Sequence, residues 1–458
     1  MTNDLLTKED LSLFTSGTRL TLGSIYFQEG FKDTLANFDL LVREMPKTRN
    51  YLVFGGLEHI ARYLQNLKFN NEQLKWLKAQ FNFSPDEMGY FKNFRFSGDM
   101  WAMPEGSLFF PNEPIIRISA PIIEAQIIEM FLINAVYLQT ALASKLARFV
   151  CAANGKNVVL GFNRSYGIDA AMKATRWSKI FGAQTSLAAY NFKCDDDIHA
   201  IGIFHYFVMA FNSELEAFRK YIKYSRGKGY VLVDTYDTLR GIKNFIKAAR
   251  EIEKEGVKAT GIQLDSGDLY ELSAAARKML NEAGLSHAKI FAMSNLDEWK
   301  VAALEKKRAP IDVYAGVTEL LTPADAPTLE IVYKLSALKD KDQWMPKMKL
   351  SSKKISLPGR KQVFRIEKHG HYVEDIIGLE NEKIRGKKLL VPYIKNGKLV
   401  RKLPSLEEIH KYYEREKKKF KRELFAIDKK VKYPVEISAE LNKMTAQTKK
   451  QIQKQFIN

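Results

Sequence analysis

Between residues 230 and 318 short apolar runs alternate with helical stretches four times, and few folds accommodate that rhythm. "YVLVDTYDT" (230–238) is followed by "LRGIKNFIKAAREIEKE", in which Leu239, Ile242, Phe245, Ile246, Ala249 and Ile252 recur on one helical face. "ATGIQLD" leads into "LYELSAAARKMLNEAG", which Gly284 closes; "AKIFAMS" leads into "LDEWKVAALEKKR"; "IDVYAGVT" opens a fourth unit. Short β–α units of this kind pair their strands in parallel, because each helix must return over the sheet in a right-handed crossover. The expectation is an α/β fold with a parallel sheet, open or closed into a barrel, whose strand carboxyl ends share one ligand-binding face.

Polar residues stand where those strands end. In "GIQLDSGDLYELS" Asp265 ends an apolar run, Gly267 permits a close turn, and Asp268 either caps the next helix or meets the ligand. Asp234, Asp237, Ser294 and Thr318 occupy neighbouring strand ends. Carboxylates and hydroxyls gathered there suit a polyhydroxylated, phosphorylated or metal-bound ligand.

The chain has 458 residues, long enough for about three domain-sized units. Its two cysteines, Cys151 and Cys194, support neither a disulfide framework nor a metal-ligand pair, so a reducing compartment, the cytoplasm, is expected. No export signal is visible in "MTNDLLTKEDLSLF". The apolar stretch from Pro121 carries Glu124, Gln126, Glu129 and Lys145, and reads as a buried helix rather than a membrane span. The net charge of +19 invites anionic partners, nucleic acid included; the lysine-rich stretch 411–432 reads first as a solvated amphipathic helix.

An ordered set of blocks carries a resemblance: "YLVFGGLEHIARYLQNLKF", "FKNFRFSGDMWAMPEGSLFFPNEPIIRI", "LVDTYDTLRGIKNFI", "QLDSGDL", "SNLDE", "APIDVYAGVTELLT" and "KLSSKKISLPGRKQVFR". From about Leu13 onward the chain resembles the nicotinate phosphoribosyltransferases. The resemblance implies the type II phosphoribosyltransferase fold: an irregular α/β barrel, a second discontinuous α/β domain and a C-terminal helical extension. On this basis residues 1–118, completed by 345–405, form the N-terminal domain, 119–344 the barrel, and 406–458 the extension. It also implies a homodimer that condenses nicotinate with phosphoribosyl pyrophosphate (PRPP), with Mg²⁺, and couples this to ATP hydrolysis through a phosphohistidine. No membrane partner is implied.

By the same resemblance His205 and Asp265 are catalytic, with Asp265 holding the ribose. Thr18, Asn163, Arg164, Ser186, Gln263 and Asp268 fall at substrate-binding positions, and Ser294, Gly316, Thr318 and Lys349 at phosphate-binding ones. Lys353, Lys361 and Arg365 would add positive charge for pyrophosphate or ATP, or stand as surface cations. No residue set for a resident metal is implied.

Several positions depart from the family pattern. Ser16 and Thr18 replace an aspartate and a ring-stacking tyrosine; Val159, Leu160 and Asn163 replace a glutamate, a ring-stacking aromatic and an arginine. Leu187 replaces an asparagine, Gln263 an arginine and Val317 a glycine. Two other readings therefore accompany nicotinate transfer: a phosphoribosyltransferase fold acting on another base, or an inactive homologue serving as a binding partner.

Overall fold

The strand–helix repeats form most of one six-stranded, wholly parallel sheet. Its order is Gln184–Thr185, Asn157–Leu160, Val313–Gly316, Lys289–Ala292, Gly261–Leu264, Tyr230–Leu232. The computed structural model describes residues 10–194, 200–351 and 355–456. Among these residues the two outer strands do not pair with each other, which makes the sheet a half-barrel. Its helices follow the sequence periodicity. Thr238–Glu253 buries Ile242, Phe245, Ala249 and Ile252, while Leu239, expected on that face, is exposed because it sits in the first turn, beyond the sheet. Leu269–Glu282 ends before Gly284, whose φ of +72° is the left-handed conformation that glycine adopts freely.

The chain separates into two compact units, residues 1–141 with 328–426 and 430–458, and residues 142–327 with 427–429. These divisions differ from the boundaries expected from the sequence. Ile331–Asp340, assigned there to the barrel, pairs antiparallel with Leu35–Val42 and so belongs to the first unit's sheet. The expected C-terminal helical segment is present as Leu406–Lys417 and Ala439–Phe456, and between them the short strand Val435–Ile437 pairs with His371–Leu379.

The first unit contains a seven-stranded and a four-stranded sheet. In the larger sheet Leu35–Val42 pairs with both Pro114–Pro121 and Ile331–Asp340. Buried polar residues cross-link these strands: the Ser119 hydroxyl donates to Asn37 Oδ1 (2.7 Å), and Asn37 Nδ2 donates to Ser336 Oγ (2.8 Å). The helix expected over 411–432 is shorter, Leu406–Lys417, with Ile409 and Tyr413 buried and its lysines mostly outward.

The apolar stretch from Pro121 forms two helices, Ile122–Ile127 and Glu129–Ala152. The second is long and apolar enough to cross a membrane by length and composition, yet 61% of its most apolar 18 residues lie buried in the protein. Its charged residues are answered internally. Lys145 Nζ meets Glu298 at 2.6 Å and Asp325 at 2.8 Å, and Arg148 Nε meets Glu298 at 3.0 Å. This is the arrangement of a core helix, in which a desolvated cation persists because a carboxylate faces it.

Candidate functional site

Strand register decides which side chains share the concave side of the half-barrel. Tyr230 aligns with Gly261, Leu232 with Gln263, Gln263 with Phe291, Phe291 with Val313, and Ala315 with Val159. Val159, Tyr230, Phe291, Val313 and Ala315 pack together as one small buried cluster, with Met293 against it. Alternation along each strand then places Gly161, Asp234, Asp265, Met293 and Val317 one step further, at the carboxyl ends of the same row.

At that rim three loop ends are tied together. Asp234 Oδ2 accepts from the Asp265 backbone N–H (3.2 Å) and from the Ser266 hydroxyl (2.6 Å), fixing one strand end against the next. The other carboxylate oxygen of Asp234 is buried without a hydrogen-bond partner among the described residues. Burial, and then repulsion from Asp234, raise the pKa of Asp265; the His205 ring and the Ser294 N–H act against this. Ser294 itself has φ +93°, a conformation rarely adopted outside glycine, and such strain gathers at functional sites because surrounding structure must hold it. His205 is the first residue of the short helix His205–Met209, and its Nδ1 lies 3.2 Å from the Thr235 hydroxyl. That contact orients the ring and leaves Nε2 without a protein partner among the described residues.

The remaining expected site residues are placed as follows. Asp268 caps the helix Leu269–Glu282, accepting from the Tyr270 and Glu271 N–H groups at 2.9 and 3.2 Å, and Asp237 likewise caps Thr238–Glu253. Thr318 is exposed at the start of the four-residue helix Thr318–Leu321. Gly316 is needed for packing, since a Cβ there would come 2.2 Å from Leu320 Cδ2. Asn163, Arg164 and Ser186 are exposed in the loops after their strands. Thr18 and Lys349 belong to the first unit and are exposed there; Ser16 caps the helix Gly17–Gln28, its hydroxyl accepting from Arg19 N–H at 3.3 Å.

Two cations expected near phosphate are structural. Lys361 is buried against Asp39 (2.7 Å), and Arg365 is fully buried against Asp375 (2.6 Å), so both charges are already paired within the protein. Lys353 lies outside the described residues. Lys361 and Arg365 lie in the β-strand Lys361–Lys368 and point into the core; the sequence block alone does not reveal that direction.

The departures from the family pattern also acquire positions. Leu160 aligns with Gly316 and Thr185, in the row opposite to Val159, and is 1% exposed, so it occupies the helix side of the sheet and leaves the concave rim open. Gln263 is buried in the concave row, its Nε2 donating to Met293 Sδ (2.7 Å). Val317 stands at the rim beside Gly161, where a Cβ would meet its Cγ2 at 3.4 Å. Leu187 is half-buried at the start of the helix Ala188–Cys194. Sequence reasoning missed Thr235 and Ser266. Both lie one residue beyond a strand-end aspartate, and that adjacency was the available signal.

Residues 13–137 match the nicotinate phosphoribosyltransferase (NAPRTase) N-terminal domain, and residues 384–445 the nicotinate phosphoribosyltransferase C-terminal domain. The chain is 41% identical over 403 residues to nicotinate phosphoribosyltransferase pncB2 of Mycobacterium tuberculosis, covering 86% of this chain and 84% of that one. It is 38% identical over 394 residues to the nicotinate phosphoribosyltransferase of Bacillus subtilis, covering 83% and 79%. The structure of human nicotinic acid phosphoribosyltransferase superposes with a TM-score of 0.84 at 22% identity, covering 94% of this chain and 99% of that one, which supports the fold. With this extent of identity, on a scaffold whose parallel strand ends converge as described, the chain belongs to the nicotinate phosphoribosyltransferase family.

Proposed function

We infer that the protein condenses nicotinate with PRPP to give nicotinate mononucleotide and pyrophosphate, a salvage step of NAD synthesis. The observation that carries this reading is the joining of Asp234, Asp265 and His205 at one rim of the half-barrel, in a chain 41% identical to a nicotinate phosphoribosyltransferase. As the bond from the anomeric carbon to pyrophosphate breaks, positive charge grows on the sugar while the pyridine nitrogen approaches. Asp265, whose carboxylate faces the rim, accepts from the ribose hydroxyls and offsets that charge. Arg164, Ser294, Gly316 and Thr318 are the candidates for phosphate contacts.

ATP coupling falls to His205. Its unpartnered Nε2 attacks the terminal phosphorus of ATP, forming an N–P bond as the P–O bond to ADP breaks; water later returns the phosphate to solution. Asp234 and Asp265 would hold a Mg²⁺ ion brought with PRPP, which would supply positive charge to the phosphates. The buried, unpartnered oxygen of Asp234 and the repulsion between Asp234 and Asp265 suit a cation at that rim, though no preformed cluster of three metal-ligating side chains exists among the described residues. A second copy of the chain covers the exposed apolar side chains Tyr166, Ile168, Phe204, Tyr206 and Met209, giving a homodimer. The cytoplasm supplies its substrates.

The test is an assay with nicotinate, PRPP, ATP and Mg²⁺. Formation of nicotinate mononucleotide is expected. His205→Ala should lose ATP turnover while keeping slow PRPP chemistry, and equal ATP turnover in the variant would remove the phosphohistidine. Conversion of a different base, or folded protein with no turnover of any base, would replace this reading by one of the two others.

A further inference from the structure

The first unit holds a cavity of about 710 Å³, whereas His205 and Asp265 belong to the second unit. It opens where the seven-stranded and four-stranded sheets of that unit part. Leu41 and Arg43 come from the end of Leu35–Val42 and the residue after it, and Val332 and Lys334 from the neighbouring strand; Ile377, Val435 and Ile437 face them from the four-stranded sheet. In a closed sandwich such rows interdigitate and exclude solvent. Here the rows leave a space within the size range of small-molecule sites.

The chemistry of the lining is one-sided. Six of its residues are Lys or Arg and none is Asp or Glu, so the lining favours an anion over a cation. Lys361 is neutralised by Asp39, and Lys430 is held by the carbonyls of Pro46, Lys47 and Arg49. The side chains of Arg43 and Lys432, by contrast, have no partner among the described residues. Most of the other lining residues are aliphatic, and two of them, Ile355 and Ile437, are exposed to 57% and 36%. The aromatic residues there are Phe110 and Tyr433, which stack on each other with centroids 4.2 Å apart and so keep those faces from a planar ligand.

We propose that this cavity binds an aliphatic carboxylate, its chain against the branched side chains between the sheets and its head at Arg43 and Lys432. A flexible chain matches an aliphatic lining, and a carboxylate matches two unanswered cations. A nucleotide fits less well because the cavity offers no free aromatic face for its base.

The test uses the full-length protein and dodecanoate, kept below the concentration at which it forms micelles and followed by titration calorimetry. Saturable one-to-one binding is expected, with at least a tenfold loss in Lys432→Glu, at an exposed position that leaves the melting temperature unchanged, and in Arg43→Glu, at a half-buried one. Dodecyltrimethylammonium, of equal chain length and opposite charge, should not bind. Equal binding of the two amphiphiles, wild-type affinity in both variants, or displacement of dodecanoate by ATP would each overturn the proposal. Nicotinate turnover, measured in parallel without dodecanoate, should be unchanged in both variants.

Discussion

Replacing Asp265 by Asn separates catalysis from stability at one atom. In the folded protein this carboxylate is partly desolvated and lies near Asp234, and its folded pKa is raised on both counts. A carboxyl with a raised folded pKa contributes stability that is fully present below its unfolded pKa, about 4, and is lost as pH rises through the folded value. Asn keeps the shape and lacks that loss. The stability of Asp265→Asn relative to wild type should therefore increase from about pH 4 upward and level off once Asp265 is ionised in both states. Catalysis should move the opposite way. A hydrogen bond to a charged group contributes roughly 1.5–3 kcal/mol, which at 1.36 kcal/mol per decade is about a 10- to 100-fold fall in kcat/KM. Urea midpoints at pH 4 and 7.5, together with nicotinate- and PRPP-dependent kcat/KM, measure both effects. A variant that is fully active, or one whose activity loss comes with a lower midpoint at pH 7.5, would refute the assignment of this carboxylate to the ribose.

Two further predictions concern the scaffold. Arg365 is fully buried and bonded to both Asp375 oxygens and to the Leu108 carbonyl, so Asp375→Ala, which strands the guanidinium, should destabilise the protein by about 3–5 kcal/mol in denaturant unfolding. Glu124 is buried and its pKa is pushed up to about 6 by desolvation, against the hydrogen bonds from Ser97 N–H and hydroxyl. Its contribution is present at low pH and lost as pH rises through 6, so wild type should lose about 2 kcal/mol relative to Glu124→Gln between pH 4 and 7.5. A pH-independent difference between the two proteins would contradict this.

The sequence was most informative where local chemistry and tertiary placement agree. Apolar runs 230–233, 261–264, 289–292 and 313–316 became adjacent parallel strands because a helix and short turns connect each to the next, which leaves the chain little choice of return path. Asp265 was legible for the same reason, since it ends such a strand. Asp268 and Asp237 look alike in sequence but satisfy the first N–H groups of helices, a local demand that a carboxylate can meet without any site.

What sequence determined by itself was the alternation of elements, the strand ends and the identity of the family. Only the tertiary structure decided which side of a strand each residue occupies and which partner it meets. Leu160 and Val159 are neighbours in sequence, yet a period of two sends them to opposite sides of the sheet. Lys361 and Arg365 carry the charge a phosphate needs, but buried aspartates from distant or adjacent strands claim them first. Register and burial arise from contacts between segments far apart in the chain, and composition or spacing along one segment does not encode them.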